Sequence, residues 1–402
     1  MLDTALLTLE DVSLADWLQS VKQSALRDML AIATRPGILS FALGLPATDL
    51  FPRKAYAQAA ADVLANDLFA LQYGLPFRPL KSHIVGLMEQ RGVRCSEEQI
   101  FLTTGAQHAM SLLAHLLLNP FGQVMIEETI YDGMPKVIEP FQPELLEIRT
   151  DATSGLDVEQ VESLLIRGAR PAFIYVITDG HNPLGINLSR EKRQHLVELA
   201  QRYQVPIIED DAYGLLCYER EEPPIRALDE RWVFYVSSFS KILAPSLRVG
   251  WVVLPEFLTS KMSIVKQGSD MDISTLAQRT VSAFMDAGHM LGHLALLRRS
   301  YSQRRDVMIR ALRENLPPEV HCGTPASGLF IWVELPRHLD ALELLKVAVD
   351  TERVAFIPGH AFSTTGGSHA NHCMRLNFSN STVEQLEDGV ARLARVINKA
   401  LG

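Results

Sequence analysis

Within SSFSKILAPSLRVGW (237–251), Ser238, Ser240, Lys241 and Arg248 fall inside eleven residues, directly after an apolar run of strand composition. Hydroxyls and an arginine beside one lysine suit a phosphate. A lysine at the end of a buried strand is desolvated, which lowers its pKa and frees the neutral, nucleophilic amine. Such an amine can form a Schiff base; an isolated SxxK would more often be a surface loop. Upstream, IIEDDAYGLL (207–216) ends another apolar strand in Glu209, Asp210 and Asp211, with Tyr213 three residues past Asp210. Acids at strand ends are commonly solvated, yet a carboxylate here can keep a pyridine nitrogen protonated, and the tyrosine can donate to a phenolate oxygen.

Four further segments belong with these. TDGHNPLG (178–185) places Asn182 and Pro183 after the run AFIYVI; read alone it is a turn. TTGAQ (103–107) joins a strand to a helix through Gly105, so the amides of Ala106 and Gln107 open a helix whose positive end receives a phosphate. Tyr131 in EETIYDG can stack on a planar ring or simply pack. Arg375 alternates with Met374 and Leu376 in MRLNFS, where it can face solvent or grip a carboxylate in bidentate fashion.

The elements that must position these residues are legible as short apolar runs alternating with helical patterns. Runs at 99–104, 123–128, 172–178, 205–210, 232–238 and 249–254 read as buried strands, and 106–118, 157–167 and 189–203 as helices. That alternation implies a mostly parallel sheet covered on both faces, an α/β architecture with ligands beyond the carboxyl ends of the strands. From about 255 to 315 the pattern is helical, and the tail is a smaller α+β unit with strands at 328–335 and 372–379. Its last helix starts near 382, with Ser381 and Glu384 as a capping box.

The chain has 402 residues, 38 basic and 47 acidic side chains and a formal charge of −9. That balance disfavours a nucleic-acid or anionic membrane surface. Its four cysteines, Cys95, Cys217, Cys322 and Cys373, lie far apart, with neither metal-site nor disulfide-framework spacing. Asp3, Glu10, Asp11 and Asp16 stand where a secretory signal would need a basic start and an apolar run. No apolar stretch is long enough to cross a bilayer. A cytoplasmic enzyme with no metal is the expectation.

Taken together, TTGAQ, NPLG, EDDAY, SFSKILAPSLRVGW and MRLNFS, with ALRDMLAIATRPGILSFALGLPATDLFP (25–52) and QYG (72–74), resemble class I pyridoxal-phosphate aminotransferases of fold type I. The nearest likeness is to the 2-aminoadipate and kynurenine aminotransferase branch. The resemblance implies a seven-stranded large domain over 53–288 and a small domain from 1–52 and 289–402. It implies Lys241 as the Schiff-base lysine that also carries the α-proton, Asp210 on the pyridine nitrogen, Asn182 and Tyr213 on the phenolate oxygen, and Tyr131 on the ring. Gly105, Ala106, Gln107, Ser238, Ser240 and Arg248 would hold the phosphate. Tyr73 would reach the phosphate of the neighbouring subunit, which implies a homodimer with shared sites. Arg375 would clamp the α-carboxylate, Gly44 would lie close beside the substrate, and Arg27 would meet a distal carboxylate. The reaction implied is ping-pong transfer of an amino group between an L-amino acid and a 2-oxo acid, with glutamate and 2-oxoglutarate as one pair.

This chain departs from the branch in reading Ala42-Leu43-Gly44-Leu45 where two glycines are usual, and in carrying Leu184, Ile130 and His181 at positions that differ from it. His181 is either a reader of the substrate side chain or, more simply, a partly exposed loop residue. Two other functions remain open at this level. Lys241 and its ring clamp serve decarboxylation, racemisation or β-elimination equally well, and a ligand-sensing domain on the same fold needs no catalysis.

Overall fold

The computed structural model describes residues 13–20, 35–219 and 221–402. Its centre is a sheet of seven strands: β1 (Ile100–Thr103), β2 (Gln123–Glu127), β3 (Glu144–Ile148), β4 (Ile174–Ile177), β5 (Ile207–Asp210), β6 (Val233–Ser238) and β7 (Gly250–Val253). They lie in the order β1-β7-β6-β5-β4-β2-β3. β7 is antiparallel to both neighbours and every other pair is parallel.

β4, β5 and β6 are buried along their whole length, because both faces are covered, and this is why they read as apolar runs up to the polar carboxyl ends of β5 and β6. On one face Tyr175, Ile208 and Phe234 pack with Ala109, Met110 and Leu113 of the Ala106–Leu117 helix. On the other, Ile174, Val176 and Ile207 meet Val161 and Leu165 of the Val158–Ile166 helix and Leu196 and Leu199 of the Arg190–Tyr203 helix. Local chemistry sets the ends of the latter: the Ser189 hydroxyl accepts from Lys192 N, and Gln204 leaves the helix at φ +56°.

Three helices, Thr259–Ser269, Thr275–Asp286 and His289–Asn315, occupy the stretch read as helical. Beyond them β8 (His321–Cys322), β9 (Phe330–Glu334), β10 (Ile357–Pro358) and β11 (Cys373–Asn377) form an antiparallel sheet in the order β8-β9-β11-β10. Leu39–Ser40 pairs in parallel with Val354–Ala355, and Phe41 packs with Leu386, Val390 and Leu393 of the Val383–Leu401 helix. The two ends of the described chain therefore share one core. No described helix is long and apolar enough to cross a membrane.

Two expectations change. The capping box of the last helix is Thr382 with Gln385, whose side chains and backbone amides exchange hydrogen bonds, one residue beyond Ser381 and Glu384. β3 was not among the apolar runs: it is an edge strand of mixed burial, so its sequence, ELLEI, shows no clean periodicity.

Candidate active site

β4, β5 and β6 end side by side, with Ile177 level with Asp210 and Asp210 level with Val236. The chain leaving each of them carries Asn182, Tyr213 and Lys241. With the Gly105 turn, Tyr131 and Arg375 of β11, they enclose a cavity of about 420 Å³. The sequence scatters these residues over more than 250 positions; the carboxyl ends of the sheet bring them together.

Lys241 follows β6 and donates from Nζ to the carbonyl of Gly44 at 2.7 Å. Its pKa is lowered to about 8, first by burial and then by the cations Arg375 and Arg248, with Asp210 opposing. Asp210 accepts from Tyr175 Oη at 2.7 Å through Oδ2. Its Oδ1 is buried and has no side-chain hydrogen-bond partner among the described residues. Burial, the largest influence, pushes this carboxyl up to about 6 against the Tyr175 hydrogen bond.

Arg375 donates through Nη1 to Asn182 Oδ1 and through Nη2 to Ala42 O, both at 2.7 Å. Its Cζ lies 4.3 Å from the Phe330 ring centre and 4.8 Å from that of Phe362. Burial lowers its pKa to about 10, and Nε has no partner among the described residues. Gly44 is held close: a Cβ there would lie 3.1 Å from Phe330 Cζ.

Gly105 has φ +82° and caps the Ala106–Leu117 helix without a side chain. A Cβ on it would meet Arg248 Nη2 at 2.7 Å, and Arg248 itself donates to Thr104 O at 2.8 Å. Ala106, Gln107, Ser238, Ser240 and Arg248 all line this end of the cavity. Tyr131 stands opposite, its phenol pushed up to about 12 by burial. Tyr213 is buried edge-on to Phe330, and burial raises its phenol too.

These residues fit pyridoxal phosphate. An unpartnered buried carboxylate oxygen suits a protonated ring nitrogen, and an arginine at an uncapped helix start suits a phosphate. A neutralisable lysine lies in the same cavity.

Most sequence-predicted residues thus meet at one place, with three exceptions. Tyr73 does not line the cavity and is 94% exposed, among Leu68, Leu71 and Leu75 at 95%, 79% and 90%. Arg27 lies outside the described residues. His181 is buried with Nε2 3.1 Å from Glu127 Oε2, so it is neither an exposed loop residue nor part of the cavity wall. Sequence reading missed Tyr175, Phe330, Phe362, Met110 and Asp132. Only the strand alternation of Tyr175 and Ile177 hinted that the former shares a face with Asp210.

Buried charges hold the turns in place. Arg91 donates to Asp179 Oδ2 at 2.7 Å and Asp211 Oδ2 at 3.2 Å, and Arg193 to Asp179 Oδ1 at 2.7 Å. Asp179 fixes the turn that carries Asn182, and Asp211 directly follows Asp210.

Comparison with known proteins identifies the family. An aromatic-amino-acid aminotransferase of Thermococcus litoralis is 32% identical, over 95% of this chain and 93% of its own. A 2-aminoadipate transaminase of Thermus thermophilus is 33% identical, over 95% of each. The structure of a Pyrococcus horikoshii kynurenine aminotransferase in complex with PMP superposes with a TM-score of 0.90 at 32% identity, covering 97% of this chain and 98% of that one. Residues 38–393 match the family model for aminotransferase class I and II, and the chain belongs to that family of pyridoxal-phosphate-dependent enzymes.

Proposed function

We propose that this aminotransferase uses glutamate and 2-oxoglutarate as one substrate pair, with the residues of the cavity dividing the work as their chemistry suggests. When bound, pyridoxal phosphate supplies an electron sink that makes the α-proton of an amino acid removable. Arg248, Ser238, Ser240 and the amides of Ala106 and Gln107 would hold the phosphate, and Gly105 would keep that corner open. Tyr131 would pack against the ring, and Asn182 and Tyr213 would hold its hydroxyl oxygen. Asp210 would keep the ring nitrogen protonated.

Lys241 would hold the cofactor through its neutral amine and, when free of it, would be placed to carry the proton of the substrate Cα. Its lowered pKa suits both directions of that transfer. Arg375 holds the α-carboxylate, and Gly44 lets the substrate approach beside it. Phe330 and Phe362 flank the guanidinium and keep water from it. A carboxylate fixed this way favours breaking the Cα–H bond over decarboxylation. Both half-reactions share the one site, so the kinetics are ping-pong.

The observation that supports this division of roles is that one cavity holds Lys241, reaching the Gly44 carbonyl at 2.7 Å, and a buried carboxylate with an oxygen unpartnered among the described residues. The apolar wall at Leu43, Leu45 and Met110, together with relatives named for aromatic amino acids and 2-aminoadipate, supports a large amino acid as the second substrate. Arg27 is proposed as the contact for a distal carboxylate. The exposed segment with Leu68, Leu71, Tyr73 and Leu75 supports a homodimer in which Tyr73 completes the partner's phosphate site. The unit over 53–288 and the one built from 1–52 and 289–402 close over this cavity, and the enzyme works in the cytoplasm.

The test is spectroscopic. Purified holoenzyme should show a visible band that borohydride removes, and Lys241→Ala should lack the reducible linkage. Among single amino acids, glutamate should convert the band with stoichiometric formation of 2-oxoglutarate. Conversion by other amino acids but not glutamate refutes the substrate pair; release of carbon dioxide or ammonia refutes transamination as the main reaction.

A further inference from the structure

Tyr175 is fully buried in β4, below the floor of the cavity. In the parallel register it lies level with Ile208, two residues before Asp210 and on the same face of the sheet. A tyrosine is long enough to span that step along the sheet, and its hydroxyl reaches Asp210 Oδ2 at 2.7 Å. The surroundings of its ring are apolar: Ile177, Ile208, Phe234 and Val236 belong to the same cluster. Here a hydrogen bond to an ionised carboxylate is worth more than in water, and its loss leaves a buried oxygen without a partner.

We propose that Tyr175 is a positioning residue that occupies one oxygen of Asp210, so that the other alone is left to accept the hydrogen bond of the cofactor's protonated ring nitrogen. The inference rests on the assignment of Asp210 to that nitrogen. The phenol suits the task because it donates without carrying charge, and its surroundings hold it well above the ordinary tyrosine range, so it stays protonated. The charged or titratable groups facing this pair are Asp211 on the same strand end, Lys241 after β6, the phenols of Tyr131 and Tyr213, and Glu127 facing Tyr175. Among the described residues none of these side chains donates to Asp210 Oδ2, although the backbone amide of Ala212 also favours the ionised carboxylate.

The experiment is ring-nitrogen NMR of holoenzyme reconstituted with cofactor labelled with ¹⁵N in the ring, followed against pH. Tyr175→Phe removes one oxygen atom and keeps the packing. By changing the basicity of Asp210 it should shift the titration midpoint of the ring nitrogen by about one to two pH units, the worth of one hydrogen bond to a charged group. It should also weaken cofactor binding about tenfold. In the Asp210→Asn background the same change should leave the cofactor Kd within about twofold, because the coupling needs both groups.

An unchanged midpoint in Tyr175→Phe, or an equal loss of affinity in both backgrounds, overturns the inference and leaves Tyr175 as packing. If Asp210→Asn itself leaves the ring-nitrogen titration unchanged, the assignment of Asp210 fails first, and the inference with it.

Discussion

The amine of Lys241 must lose a proton before it can bond a carbonyl, and the cavity makes that loss easier. Burial is the largest cause, followed by the positive charges of Arg375 and Arg248, and the amine settles at about 8 rather than its ordinary 10.5. At pH 7 a pKa of 8 leaves about one amine in ten neutral, against about one in 3,000 for a solvated lysine, a gain of about 300-fold in reactive form. Mixing cofactor-free protein with pyridoxal phosphate in a stopped-flow instrument measures this directly, through the growth of the borohydride-reducible band. The rate should rise about tenfold per pH unit up to about pH 8 and then level off.

Arg375→Gln removes the first-named cation and should move the bend to higher pH. A rate that keeps rising tenfold per unit beyond pH 9.5 would refute the argument, since the amine would then be behaving as an exposed one. The same shift has a sign for stability. The unfolded chain binds more protons than the folded one between about 8 and 10.5, so this lysine makes the cofactor-free protein more stable as pH rises through that window.

Other substitutions probe the scaffold. Gly105→Ala places a Cβ at φ +82°, where it meets Arg248 Nη2 at 2.7 Å; it should weaken cofactor binding about tenfold or more by displacing that arginine, measured by fluorescence titration. Arg91→Met leaves Asp179 and Asp211 short of a buried partner and should cost about 3–5 kcal/mol, read as a lowered urea midpoint. Leu71→Glu puts a charge into the exposed apolar segment; sedimentation should show monomers, and cofactor affinity should fall with the loss of the partner's Tyr73. A dimer that persists with unchanged affinity would remove this segment from the interface.

What the sequence shows of this site follows from where the residues sit. Asp210, Lys241 and Asn182 stand just past or at the ends of buried strands, so an apolar run followed by a polar residue marks each of them, and a helix opening marks Ala106 and Gln107. Tyr175, Phe330 and Phe362 carry no such mark. Their place depends on register between strands and on how the smaller sheet meets the larger, which are tertiary facts. His181 misled for the opposite reason: its neighbour faces the cavity, while its own ring turns to the buried Glu127. The capping box slipped by one residue because Ser381 and Thr382 each have a suitable acid or amide three residues on, and only geometry chooses Thr382.

The unpartnered polar atoms of the cavity carry the functional argument further than its shape does. A buried polar atom without a partner costs about 1–3 kcal/mol, and this fold accepts that cost at Asp210 Oδ1 and at Arg375 Nε. One is an acceptor and the other a donor, on different walls of the same cavity. Arg375 already spends Nη1 and Nη2 on Asn182 and Ala42, so its orientation is set before any ligand arrives. Its charge has no ion-pair partner among the described residues, and burial drags its pKa down to about 10. A carboxylate bound there would supply the missing charge, and a protonated ring nitrogen would do the same for Asp210. Stability given up at two points in the protein alone would be recovered on binding both ligands, so that holoenzyme with an amino acid bound would be the state for which this arrangement of charges is complementary.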